Sequence, residues 1–321
     1  MPGPSVIKAV TSFIEENMRK HGLPVPVPRE VIYRWSRGLG LPISGDTVLF
    51  TGGLYQLAPY IEALVRFAAS MEKGGVVSGI ASRLSSTSIA RVLARFLARA
   101  EKSRVERFES IVRGIALVLA RAGVEYAYSP RVDAYSGSIL YDLGLDEAFA
   151  SHAAKVFKSI KSEGVRRVIT IDPHTTLVLK EVYPRYIEGY DLEVVNYMEL
   201  LGHRIEPFPG SRGEAVIHDP CLYARNLNII GEPRRLVEAS GYTVREPRRS
   251  RRMTYCCGGP IESLFPSLAK RVARTRMDEL APLGKTIVVM CPICLVNLSS
   301  VAPGGVEVRD LGELLAEAAK H

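Results

Sequence analysis

The chain has 321 residues, long enough for two ordinary domains that each bury a core. With 24% charged and 47% hydrophobic residues, a net charge of +8 and no low-complexity tract, it reads as a soluble globular protein, which excludes disordered and fibrous classes. The most apolar run, residues 115–120, is stopped by Arg121 far short of the roughly 20 residues a bilayer crossing needs, so no transmembrane span is expected.

At the N-terminus Val6, Ile7, Val10, Ile14 and Met18 are interleaved with Lys8, Glu15 and Glu16, the pattern of one helix face over residues 5–20, closed by Gly22 and Pro24. That pattern is not a basic segment leading into an apolar stretch, so the expected location is the cytoplasm. A proline-rich link, LPVPVPRE, leads to a second short helix around residues 33–37, and residues 1–45 together read as an N-terminal helical extension. From Asp46 onward TVLF, VRRVITI, GEAVI and GKTIVVM read as buried strands, and DEAFASHAAKVFKSI and SLAKRVARTRMDELA as helices. The alternation predicts α/β layers with largely parallel sheets.

The chain also matches itself. VLFTGGLY (48–55) aligns with VIHDPCLY (216–223), YSGS (135–138) with YCCG (255–258), and VITIDPHTTLVL (168–179) with IVVMCPICLVNL (287–298), all in the same order. The last two share nearly one offset, and the first is displaced by helical sequence inserted at residues 86–122. The expectation is an internal duplication: two tandem Rossmann-like α/β domains, a degenerate one over 46–205 and one carrying all five cysteines over 206–321. Gly53, Ser136, Gly137, Asp172 and Thr175 stand at the matching places in the first copy.

The cysteines fall as Cys221, the adjacent pair Cys256 and Cys257, and Cys291-Pro-Ile-Cys294, each group after a predicted strand: AVI, MTY and TIVVM. Carboxyl ends of strands in an open parallel sheet share one edge, so distant thiols can converge there. A Cys-x-x-Cys opening a helix directs two thiolates at one centre, and the helix N-terminus favours their charge. Gly258 and Gly259 would let the backbone pass close to a bulky inorganic group. Ordinary core cysteines do not fall into such an order. Structural zinc takes four ligands, leaving a fifth thiolate surplus, whereas separate irons of a cluster can each accept one of two adjacent cysteines; zinc stays as the alternative.

HDPC, EPRRL, YCCGG and CPICLVNL resemble the successive signatures of the cysteine-rich CCG domain, found in the B-type subunit of heterodisulfide reductase, in iron-sulfur subunits of glycolate oxidase and anaerobic glycerol-3-phosphate dehydrogenase, and in lactate-utilisation proteins. The resemblance covers the second half closely and about 48–184 in degenerate form. It implies a noncubane [4Fe-4S] cluster on Cys221, Cys256, Cys257, Cys291 and Cys294, and two-electron reduction of a small disulfide, or the reverse oxidation of thiols. The first half lacks its cysteines, which argues for one cluster. No C-x-x-C-x-x-C-x-x-x-C-P ferredoxin run occurs, so electrons would come from a partner, a ferredoxin-like iron-sulfur subunit or a flavoprotein. The rival readings are a CCG subunit relaying electrons for a 2-hydroxy-acid or glycerol-3-phosphate dehydrogenase, and a non-catalytic zinc-binding interaction protein.

His218, three residues before Cys221, suits a hydrogen bond to a cluster sulfur or proton transfer to a leaving thiolate; the alternative is a capping histidine at a strand end. Asp172 and His174 lack the further partners a metal site of their own would need. REPRRSRR (245–252) either offsets cluster charge, attracts an anionic substrate or forms a solvated loop. In the insertion, Arg91, Arg95 and Arg99 fall at helical spacing, a face for a partner subunit, for peripheral contact with anionic lipid, or simply for solvent. No nucleic-acid reader motif is present.

Overall fold

The computed structural model describes residues 4–73, 101–202, 204–259 and 261–319. It is a mixed α/β protein with two parallel sheets. Helix α1 (Pro4–His21) buries Ile14 and Met18. Helix α2 (Glu30–Tyr33) and a 3-10 turn (Arg34–Ser36) form the second short helix. It begins earlier than its sequence suggests, because Val31 and Ile32 are the residues it buries.

Strands β1 (Thr47–Phe50), β2 (Arg167–Thr170) and β3 (Glu193–Asn196) lie in the order β1-β2-β3, with Val48 opposite Val168 and Ile169 opposite Val195. Strands β4 (Gly213–Ile217), β5 (Tyr242–Arg245), β6 (Thr286–Val289) and β7 (Glu307–Asp310) lie in the order β5-β4-β6-β7. The inner strands are short runs of β-branched residues, buried on both faces as helix-covered parallel sheets require. On the far side of β1, Ala127 bridges Val48 in parallel, at the edge that β5 occupies beside β4. The strand expected at MTY does not form: residues Arg251–Met253 make a 3-10 turn, entered through Arg251 at φ +55° with its amide bound to Asp219.

Helices α3 (Leu54–Lys73), α4 (Lys102–Arg121), α5 (Ser138–Asp142), α6 (Asp146–Ser162), α7 (Pro173–Leu177), α8 (Tyr183–Tyr186) and α9 (Tyr197–Leu201) surround the first sheet. Helices α10 (Gly231–Ala239), α11 (Pro266–Leu280), α12 (Pro292–Ser299) and α13 (Leu311–Ala318) belong with the second. The halves meet through paired contacts: Tyr55 Oη donates to Asp310 Oδ2 at 2.9 Å, and Asn196 Nδ2 donates to Tyr223 Oη at 2.8 Å. Among the described residues no helix is long and apolar enough to cross a membrane.

Arg91, Arg95 and Arg99 lie outside the described residues. In the described part of the insertion, the basic residues are not a free face. On α4, Arg104 pairs with Glu62, Arg107 with Glu313 at 2.8 Å, and Arg113 donates to the Trp35 and Arg37 carbonyls, so these cations tie the helix to both sheets' surroundings and to the N-terminal extension.

Candidate metal centre

In the second sheet β4 pairs with β5 on one side and β6 on the other, which makes the β4/β6 carboxyl edge the point where strand order reverses. Crevices at such points are where open α/β sheets bind ligands. β4 leads directly into His218, Asp219 and Cys221, and β6 into Cys291.

Asp219 assembles the third segment. Its carboxylate accepts two bonds from Arg234, at 2.8 and 3.0 Å, and one from the Arg251 amide at 2.6 Å, while its carbonyl accepts from Thr254 Oγ1 at 2.8 Å. The aspartate of HDPC, the arginine of EPRRL and the approach to YCCGG are thereby one buried network. Leaving either charge of such a pair alone costs about 3–5 kcal/mol.

The glycines after the cysteine pair are also required by protein packing. A Cβ at Gly258, which sits at φ +96°, would lie 2.4 Å from the Ala269 carbonyl oxygen, and one at Gly259 would lie 2.2 Å from Ile293 Cγ2. They let the loop press onto α11 and α12.

All five cysteines converge. Cys294 Sγ donates to Cys257 Sγ at 3.2 Å, and Cys256 with Cys221 and Cys257, like Cys291 with Cys294, stand close enough to shift one another's ionisation. Cys257, Cys291 and Cys294 are buried, whereas Cys221 and Cys256 are partly open to solvent. Cys291 is the N-cap residue of α12. Protons are unevenly shared: bonds from Cys221 and Cys257, with the Gly258 amide at 3.4 Å, draw Cys256 toward thiolate. Burial resists ionisation of Cys291, but Cys294 and His174 outweigh it and bring it down to about 5.

Two histidines flank the sulfurs. His218 Nε2 lies 3.3 Å from Cys294 Sγ, and Arg276 Nε donates to its Nδ1 at 3.1 Å. His218, Cys257 and Cys294 place ligand atoms within 4.8 Å of one another. His174, from α7 of the other half, stands beside Cys291 and 3.4 Å from Asp142; burial opposes its charge, but those two neighbours hold it well above the usual imidazole range.

The twin positions in the first half are closed. Ser136 Oγ accepts from Thr175 Oγ1 at 3.2 Å, and Asp172 caps α7 through the Thr175 amide at 2.9 Å. A Cβ at Gly53 would lie 2.6 Å from Ile32 Cδ1, and one at Gly137 2.7 Å from His152 Cδ2. Tyr135 stays within its own half, bonded to Ser138. The arginines of REPRRSRR are largely paired: Arg245 with Glu214, Arg249 with Glu279 and stacked on Tyr255, Arg251 with Glu246, and Arg252 with Asn228. They brace the cysteine loop. Sequence reading missed Asp219 and Arg234, although they stand inside HDPC and EPRRL, and Arg276, for which no local signal exists.

A parallel α/β domain with a five-thiol centre at its switch point is the class this site defines. Residues 215–299, which contain every cysteine, match the profile of the cysteine-rich domain family CCG. The chain is similar to the EtfAB:quinone oxidoreductase of Syntrophomonas wolfei subsp. wolfei, 25% identical over 233 residues, 66% of this chain and 32% of that protein. It is also similar to the probable iron-sulfur-binding oxidoreductase FadF of Bacillus subtilis, 27% over 225 residues, 66% and 32%. A third relative is the B-type subunit of the fumarate reductase (CoM/CoB) of Methanothermobacter marburgensis, 28% over 163 residues, 48% and 32%. The chain spans about a third of the length of these curated relatives.

The donor set fits an iron-sulfur cluster. Its thiols alone exceed zinc's four ligands by one, and they already share protons that a cationic centre would displace.

Proposed function

We propose that this chain is an iron-sulfur oxidoreductase subunit holding one noncubane [4Fe-4S] cluster on Cys221, Cys256, Cys257, Cys291 and Cys294, and that it reduces a small disulfide, or oxidises thiols, with electrons exchanged through a ferredoxin-like or flavoprotein partner in the cytoplasm. The observation that carries the reading is five thiols joined at one sheet edge, three buried and two partly open. When bound, such a cluster passes electrons and offers iron to a substrate sulfur. Cys221 and Cys256 lie on the accessible side, where a disulfide would approach. His218 is oriented by Arg276 so that its Nε2 proton faces Cys294, and His174 supplies a positive charge beside Cys291.

The same reading takes residues 46–205 and 206–321 as duplicated Rossmann-like domains. Its support is the matched strand order, the reciprocal tyrosine contacts and the parallel capping of α9 and α13.

Anaerobic purification followed by iron, sulfide and zinc analysis tests the centre. About four irons per chain are expected. Cys257→Ala and Cys291→Ala should lower the iron sharply, whereas colourless protein with one zinc would overturn the cluster. The name of the Syntrophomonas wolfei relative favours a second reading, an electron relay toward quinone. Small disulfides should perturb the cluster's spectrum if the first reading holds; an unchanged spectrum across a panel would favour the relay.

A further inference from the structure

Cleaving a disulfide with two electrons breaks the S–S bond and leaves two thiolates, which become two thiols only when two protons arrive. The electrons come from the reduced partner, and the protons must come from solvent. Resting on that reading, we propose that Glu262 is the residue through which protons enter the site.

Glu262 lies in the 3-10 turn Ile261–Ser263, just past the cysteine loop, and is only 7% exposed. It lines a small, partly open cavity of ≈ 20 Å³, room for a single water, with Ala58, Ile61, Val65, Ile293 and Asn297. Its Oε2 and the Asn297 Nδ2 are buried polar atoms without a protein partner. Buried polar atoms are nearly always satisfied, so water is their expected companion here, in a cavity roomy enough to hold it. A side chain at Gly259 would meet those same atoms at 3.1 and 3.4 Å, so the free oxygen lies against the backbone that follows Cys256 and Cys257. The carboxyl therefore sits between the cavity and the backbone of Gly259, two residues after Cys257.

The surrounding charges are few. From α3, Glu62 reaches the cavity but is already engaged by Arg66 and Arg104. From α7, His174 favours the ionised carboxylate, while Cys291 at the end of β6 and Asp142 of α5 oppose it. From α12 only the neutral Asn297 amide approaches. Burial is the largest influence, pushing the carboxyl up to about 7, where it takes and gives a proton near neutrality.

The test uses the cluster-loaded full chain and its Glu262→Gln and Glu262→Asp variants, with iron content and the oxidised absorption spectrum matched to wild type at one pH. In the reduced-minus-oxidised infrared difference spectrum, wild type should display a carboxylic C=O band that shifts in D2O, and Glu262→Gln should lack it. With reduced viologen as donor and 2-hydroxyethyl disulfide as substrate, Glu262→Gln should turn over at least tenfold more slowly, and Glu262→Asp should recover part of the loss. A band that persists in Glu262→Gln, or equal turnover by all three proteins, overturns the proposal. Wild type that leaves the disulfide intact yet retains the Glu262 band would sink disulfide reduction while sustaining proton entry.

Discussion

His218 and His174 stand beside the same sulfur pair and carry opposite charge states for identifiable reasons. Burial, followed by the neighbouring Arg276 cation, takes His218 down to about 3, so it is neutral. Because Arg276 Nε donates to Nδ1, the single imidazole proton sits on Nε2, facing Cys294. A neutral ring held this way favours hydrogen-bond donation to sulfur over proton transfer to a leaving thiolate. His218→Ala should therefore keep its iron but lose about 1.5–3 kcal/mol of stabilisation of a charged sulfur. The midpoint potential should become more negative, as a spectroelectrochemical titration would register; an unchanged potential would show that Nε2 does not donate. Arg276→Met should act in the same direction, since it frees Nδ1 and lets the ring turn. The thiols themselves were legible because Cys-x-x-Cys and a cysteine pair have few other uses. Arg276 was not, because nothing within VARTRMDEL separates an arginine aimed into the core from one aimed at solvent.

At the scale of elements, strands with unbroken β-branched runs were legible, and β3, β5 and β7 were not. Their burial alternates or is only partial, and EVVN, YTVR and EVRD each carry charged or polar side chains at exposed positions. A sharper signal lay just beyond two of them. Asn196 with Glu199, and Asp310 with Glu313, are capping boxes at matching strand ends, and EVVNYMELL against EVRDLGELL is a fourth self-match. The two caps differ in one respect. Burial pushes the Asp310 carboxyl up to about 8, and Asn196 is neutral in the equivalent place. A carboxyl raised by folding contributes stability that is fully present below its unfolded value near 4 and is lost as pH rises through about 8. Asp310→Asn keeps an oxygen for the Gly312 amide and gains an amide for Tyr55, the pairing that Asn196 makes with Tyr223. Between pH 5 and pH 8 the variant should gain on the order of 3 kcal/mol over wild type. Anaerobic urea unfolding at several pH values measures this, and parallel curves for the two proteins would contradict it.

Across the whole molecule, the first half has strands and turns that match those around the thiols in sequence, but protein fills the corresponding positions. Small residues in place of the cysteines would by themselves leave room there. Instead Ile32, delivered by the N-terminal extension, occupies the direction a side chain at Gly53 would take, and His152 does the same at Gly137. The extension is therefore a plug as well as a cap, a role its sequence did not reveal because the contact joins residues with no shared motif. Gly53 also sits at φ +71°, so any side chain there is strained as well as crowded. Gly53→Ala should cost about 1–3 kcal/mol from strain, with the clash added, and Ile32→Ala about 2–5 kcal/mol from the cavity it leaves. If the two side chains compete for one space, the double variant should lose less than the sum, with a coupling of about 0.5–3 kcal/mol in a denaturant double-mutant cycle. Iron should stay near four per chain throughout, since neither residue touches the thiol cluster. Strict additivity would show that Ile32 can move aside at little cost, and iron that rises when Ile32 is trimmed would show that the first half still binds metal once its plug is withdrawn.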